Sequence, residues 1–196
     1  MNYSMIIYVL FRLVRVIGWL LVLPLIVALI YKEYDSALSF LVLIGLFLVA
    51  GFFGSRRKPK DTVIYAKEGF TITALAWIGM SILGAVPFVI TGTIPNFVDA
   101  VFETVSGFTT TGGSILTSVE GIEKSVQFWR TFTHWIGGMG VLVFLLAVVP
   151  MADGYSMHLM RAESPGPVVG KIVPKVKDTA KILYMIYFSI TVVETL

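Results

Sequence analysis

Apolar residues come in long runs along this chain, and the polar stretches between them are short. Residues 5–31 form the first run, interrupted only by Arg12 and Arg15. A membrane helix is predicted over 14–31, with both arginines at the inner water boundary and Pro24 as a kink. A cleaved signal peptide is the rival reading. The run is long for the apolar part of such a peptide and no convincing A-x-A site follows it, so a retained helix is preferred. Residues 37–53 are the second predicted span and 69–90 the third, which carries no charge and has Pro87 near its end. Residues 129–150 are the fourth. Residues 182–193 begin a fifth, but this run falls short of the ~20 apolar residues a crossing needs. The element is expected to be cut off, leaving the N-terminal portion of a longer protein.

One stretch breaks the pattern. Residues 95–114, PNFVDAVFETVSGFTTTGGS, lie between the third and fourth runs without being such a run. A short amphipathic helix is predicted over 96–107, with Asn96 as its cap and Phe97, Val101, Phe102 and Val105 on one face. A helix of about a dozen residues reaches ~18 Å, roughly half of a ~30 Å hydrocarbon core. It can enter a membrane but not cross it. Thr109, Thr110, Thr111, Gly112 and Gly113 follow, a run suited to extended backbone, with glycine free to take a positive φ. A half-length helix followed by a Thr/Gly strand between two spans is the layout of a pore helix and its ion filter. There, stacked carbonyls and threonine hydroxyls replace the water around K⁺. Gly112 would let its carbonyl turn inward, and the helix C-terminus would aim its partial negative charge at the ion. The competing reading is a flexible outer turn, because Thr/Gly/Ser runs are common in loops. The flanking half-helix and spans favour the filter.

Composition agrees with a membrane protein. The chain has 196 residues, 57% hydrophobic and 14% charged, with a mean hydropathy of +0.87. A soluble domain could not hide so much apolar surface, so an all-α integral membrane protein in a lipid bilayer is expected. The absence of cysteine excludes disulfide and thiolate chemistry. A net charge of +3 gives no argument for nucleic acid. Its placement says more. With the N-terminus inside, Arg12, Arg15, the basic residues of 56–67 and those of 161–181 are cytoplasmic, and only Lys32, Lys124 and Arg130 fall outside. The same topology puts Glu33, Asp35, Asp99, Glu103, Glu120 and Glu123 on the outer face, an acidic vestibule that would concentrate cations. Ordinary solvated loop charges is the plainer reading for Glu33, Asp35, Glu120 and Glu123.

Other chemistry finds little support. No Gly-Lys-Ser/Thr follows the glycines, as a phosphate-binding loop would require. His134 and His158 fall on opposite sides of the membrane with no clustered carboxylates. No metal beyond a transported K⁺, no cofactor and no enzyme is expected. The glycines of 135–140, WIGGMG, permit close helix approach, with gating flexibility as a secondary role. Arg130 is most simply an interfacial anchor, and pairing with Glu103 or Asp99 is the weaker option. His134 is read as a hydrogen-bonded helix residue.

Three motifs in order, FETVSGFTTTGGSIL (102–116), WRTFTHWIGGMGVLVFLLAVVP (129–150) and MRAESPGP (160–167), resemble the Trk/Ktr/HKT family of potassium transporters. The two extra spans before Gly69 are similar to the Trk-type, TrkH-like branch. His134 departs from the family, where glutamine is expected. The resemblance implies four helix–pore loop–helix repeats around one K⁺ path, with Thr109, Thr110, Thr111 and Gly112 in the first repeat's filter, followed by Gly113. It implies a homodimer of the full-length form in a bacterial or archaeal inner membrane, and a TrkA-like cytosolic nucleotide-binding subunit docking near 56–67 and 151–181. The expected organisation is two N-terminal transmembrane helices (1–60), one helix–pore loop–helix repeat (61–150), a cytoplasmic loop (151–181) and the start of a second repeat (182–196). One repeat cannot ring an ion. The expected function is therefore that of an N-terminal fragment of a K⁺ uptake protein, against a homotetrameric cation channel or a non-conducting membrane subunit.

Overall fold

Asn2 starts the first helix by accepting the Met5 N–H at 3.1 Å, the bond a cap side chain supplies. The structure, a computed structural model, describes residues 2–57, 59, 66–140 and 176–195. Helix α1 (Tyr3–Leu20) thus begins well before the predicted residue 14. Met5, Ile6, Val9, Leu13, Val16 and Ile17 recur at helical spacing and are buried, so packing extends the helix through both arginines. Arg12 lies inside it, its guanidinium over the Tyr8 ring at 5.5 Å. Pro24 has no N–H to offer the Leu20 carbonyl, and the run divides at Leu21 into α1 and α2 (Val22–Tyr31). Helices α3 (Tyr34–Gly54) and α4 (Ala66–Ile90) match the second and third predicted spans with a few added residues at their ends.

Helix α5 (Phe97–Phe108) is the predicted short helix, with the Asn96 side chain accepting the Val98 N–H at 2.9 Å. Helix α6 (Lys124–Met139) starts five residues before the predicted fourth span. Residues 141–150 of that span, and residues 151–175 with the RAESPGP motif, lie outside the described residues. Helix α7 (Val176–Thr195) corrects two expectations. Residues 176–181 are helix rather than loop. The helix has 20 residues rather than the 12 of its apolar run, because Lys, Asp, Thr and Ala at 177–181 present no backbone bar to helix.

Among the described residues, three stretches are long and apolar enough to cross a membrane: Tyr3–Tyr31, Tyr34–Gly54 and Lys67–Ile90. Helix α1 packs on α3 and α4, and α5 sits between α4 and α6. Their shared core includes Phe40, Phe88, Phe108, Trp129 and Ile136. The Trp129 indole N–H donates to the Gly84 carbonyl at 2.9 Å and ties α6 to α4.

Two carboxylates join the start of α3 to the start of α6. Glu33 accepts the backbone N–H groups of Lys124 at 2.6 Å and Ser125 at 2.9 Å, while Glu123 accepts the Ser36 hydroxyl. Each acidic residue preceding one helix thus serves the other. Burial raises the Glu33 pKa, but hydrogen bonds from Ser125 and Lys124 and the Lys124 charge outweigh it and hold the group below its ordinary value. Glu33 and Glu123 are therefore structural groups, not the free loop charges expected.

Candidate functional site

The site is the chain leaving α5. Its helix ends in a paired-bond cap: the Thr110 N–H donates to the Gly107 carbonyl at 2.9 Å and the Thr111 N–H to the Ser106 carbonyl at 3.0 Å. This Schellman arrangement needs a left-handed residue after the cap, usually glycine. Here that residue is Thr110, at φ +57°, a conformation in which a β-branched side chain is crowded. The threonine hydroxyls bond locally. Thr109 donates to the Val105 carbonyl at 2.7 Å and lies 2.8 Å from the Thr111 hydroxyl, while Thr110 donates to the Thr109 carbonyl at 2.7 Å.

From Thr111 the backbone runs back along α5. The Ser106 hydroxyl donates to the Gly113 carbonyl at 2.5 Å. One turn further back along the helix, Glu103 accepts the Ser114 hydroxyl at 3.0 Å and the Ile115 N–H at 3.1 Å. Gly112, at φ +77°, lies between these anchors, and a Cβ built on it meets nothing within 4 Å. The Thr110, Thr111 and Gly112 carbonyls accept no hydrogen bond among the described residues, and all three residues are exposed. The structure thus presents three consecutive open carbonyls on a short segment fixed at both ends. Among the five predicted site residues, Thr109 and Gly113 differ, since their carbonyls take Thr110 and Ser106 hydroxyls.

Sequence reasoning named Glu103 only as an outer-face carboxylate and a weaker partner for Arg130, not as part of the site. Glu103 is 1% exposed, and the Arg130 Nε–H donates to it at 2.5 Å. The pairing ranked as the weaker option for Arg130 is the one formed, because α5 and α6 pack face to face and a buried carboxylate needs a partner. Glu33, Glu103 and Glu123 are all engaged, so three of the six carboxylates expected in an acidic vestibule are occupied in bonds. The His134 Nδ1–H donates to the Arg130 carbonyl at 3.1 Å, in line with a hydrogen-bonded helix residue.

The apolar face of α5 is mostly not the one packed inside. Phe97, Phe102 and Val105 are exposed, whereas Ala100, Glu103, Thr104, Ser106 and Gly107 are packed inside. Small and polar groups let α4 and α6 approach and satisfy one another, while apolar surface carries no penalty outside in an apolar surrounding. Gly137 shows how close the approach is. A Cβ there would overlap the Phe108 backbone carbonyl, which supports the packing role for the WIGGMG glycines.

Comparison with known proteins adds independent findings. The family model described as TrkH, cation transport protein, matches residues 36–196. The Trk system potassium uptake protein TrkH of Vibrio parahaemolyticus is 35% identical over 193 residues, 92% of this chain and 39% of the relative. TrkH of Escherichia coli strain K12 is 35% identical over 189 residues, 91% of this chain and 39% of the relative. The crystal structure of the potassium transporter TrkH from V. parahaemolyticus superposes with a TM-score of 0.76 at 29% identity, covering 98% of this chain and 38% of that one. The chain spans about two fifths of the length of these relatives.

Proposed function

The chain belongs to the TrkH family of cation transport proteins, and from that premise we propose that it contributes one filter segment to a K⁺ uptake path. The carrying observation is the row of open carbonyls at Thr110, Thr111 and Gly112, held at both ends against a half-length helix. A dehydrated cation needs several oxygens at once, and backbone carbonyls supply them without a fixed charge that would trap the ion. In this reading Thr109 and Gly113 brace the ends and the three residues between them face the ion. The C-terminal end of α5 adds its partial negative charge at the same place.

One segment offers one wall of such a site, so further segments must complete it. The relatives named above, whose printed names state potassium uptake, are more than twice as long. In the same reading residues 1–60 form an N-terminal pair of spans, 61–150 a helix–pore loop–helix repeat, the stretch from 151 to the start of α7 a cytoplasmic loop, and α7 the start of another repeat. The distribution of Lys and Arg supports a cytoplasmic N-terminus in a bacterial or archaeal inner membrane. The motif resemblance supports a homodimer and a TrkA-like nucleotide-binding subunit at the basic side.

The test is a chimaera in which this chain replaces the matching portion of V. parahaemolyticus TrkH, expressed in a K⁺-uptake-deficient bacterium. Growth at low K⁺ is expected, and Gly112→Ser should impair it or admit Na⁺, since a Cβ in the left-handed region costs about 1–2 kcal/mol. A chimaera that inserts normally and is indifferent to Gly112→Ser would refute the filter reading.

A further inference from the structure

Glu103 is buried on the packed face of α5, and its two carboxylate oxygens hold three groups from two other segments. Oε1 takes the Arg130 Nε–H at 2.5 Å and the Ser114 hydroxyl at 3.0 Å. Oε2 takes the Ile115 N–H at 3.1 Å and lies 3.1 Å from the same hydroxyl. Arg130 is itself largely buried, with 16% of its side chain exposed. An ion pair that served only to join α5 to α6 would need nothing from residues 114 and 115. Here the carboxylate reaches past its cationic partner to the backbone that leaves Gly113.

We propose that Glu103 is a positioning residue for the ion-binding segment: its carboxylate sets where the open carbonyls of Thr111 and Gly112 stand, and so sets discrimination between K⁺ and smaller cations. The inference rests on the filter reading given above. The segment has two anchors. The Schellman bonds fix Thr110 and Thr111 to the end of α5, and they run from backbone to backbone without a side-chain partner. The second anchor depends on side chains. Ser106 holds the Gly113 carbonyl and Glu103 holds Ser114 and Ile115. The Ser106 contact restrains only a carbonyl, so the N–H of Ile115 and the hydroxyl of Ser114 depend on Glu103. Size discrimination by carbonyls requires that their spacing resist collapse onto a smaller ion. A strand released at one end loses that resistance while still offering oxygens.

Arg130 has a subordinate part. It neutralises the carboxylate, which a buried site requires, and its guanidinium fixes which oxygen remains for the strand. Glutamine at 103 would keep the shape but present one acceptor oxygen and a donating NH₂. It could not accept from Arg130 and Ile115 through both atoms.

The experiment has two arms. In the first, backbone amide exchange is followed on the purified chain in detergent. Glu103→Gln should speed exchange of the Ile115 amide roughly ten- to a hundredfold, as loss of a bond to a charged acceptor implies, with amides of α4 and α6 unchanged. Unchanged exchange at Ile115 would overturn the anchor. In the second arm, K⁺ and Na⁺ uptake are measured in the chimaera for Glu103→Gln, Gly112→Ser and the double variant Glu103→Gln/Arg130→Gln. Reduced K⁺ over Na⁺ preference is expected in all three. Restoration of preference in the double variant would overturn the proposal, since it would make the pair merely a charge balance. Altered preference in Gly112→Ser but not in Glu103→Gln would also overturn it while leaving the filter reading intact. Indifference to Gly112→Ser would remove the filter reading and this inference with it.

Discussion

Thr110 occupies the position in the α5 cap where glycine is usual, and Thr110→Gly should make the protein more stable. A non-glycine residue in the left-handed region costs about 1–2 kcal/mol, and the β-branched Thr110 at φ +57° falls in this class. Glycine removes that strain. It also gives the unfolded chain more freedom, which costs back about 0.4–1 kcal/mol. The lost hydroxyl bond, 2.7 Å to the neighbouring Thr109 carbonyl, is exposed and readily replaced by water. The net gain is about 0.5–1 kcal/mol, or a rise of roughly 1–4 °C in Tm for a chain of this size. Thermal unfolding of the detergent-solubilised chain measures it, with Thr111→Gly as the neighbouring control. Thr111 has no positive φ, so glycine there relieves nothing and should lower Tm. Equal effects at both positions, or a lower Tm for Thr110→Gly, would refute the strain argument. Strain of this kind gathers at functional sites. The stabilised variant should therefore discriminate K⁺ from Na⁺ less well in the chimaera, because it also loses a hydroxyl beside the open carbonyls.

Two further outcomes follow from the packing and the outer link. Gly137→Ala should destabilise the chain by about 1–3 kcal/mol, the usual range for overpacking, because the Phe108 carbonyl occupies the space a Cβ needs; denaturant titration followed by Trp fluorescence would read it. Glu33 has a folded pKa held below the ordinary glutamate value, so its contribution to stability is fully present above that ordinary value and is lost as pH falls through the lower, folded one. Glu33→Gln should accordingly lower Tm at neutral pH and differ little from the parent in strong acid. A constant difference across that range would show that the carboxylate charge is not what joins α3 to α6.

How much of this was legible beforehand depends on the range of the interaction. Runs of apolar residues of membrane length are visible one residue at a time, and they placed α1 to α4 to within a few residues except at the start of α1. Pro24 broke the first helix because a missing N–H is a covalent fact. Asn96 as cap, the half length of α5 and the positive φ of Gly112 were local in the same sense. The inward face of α5 was not. The usual rule sends the apolar face to the core, but that rule presumes water outside. In a membrane chain Phe97, Phe102 and Val105 can stay outward, and the inward face goes to the groups that need partners.

The sequence by itself determined that this is an all-α membrane protein with a half-length helix and a Thr/Gly segment between spans, since apolar run length and backbone chemistry are properties of neighbouring residues. Only the tertiary structure decided the rest. Glu103 meets Arg130 27 residues away, and Glu33 reaches Lys124 across 91, separations at which no local pattern names the partner. For Glu103 burial decides the pairing, because a charge withdrawn from water must find its counterpart wherever the fold brings one within reach, whereas the half-exposed Glu33 takes backbone N–H groups left free at the start of α6.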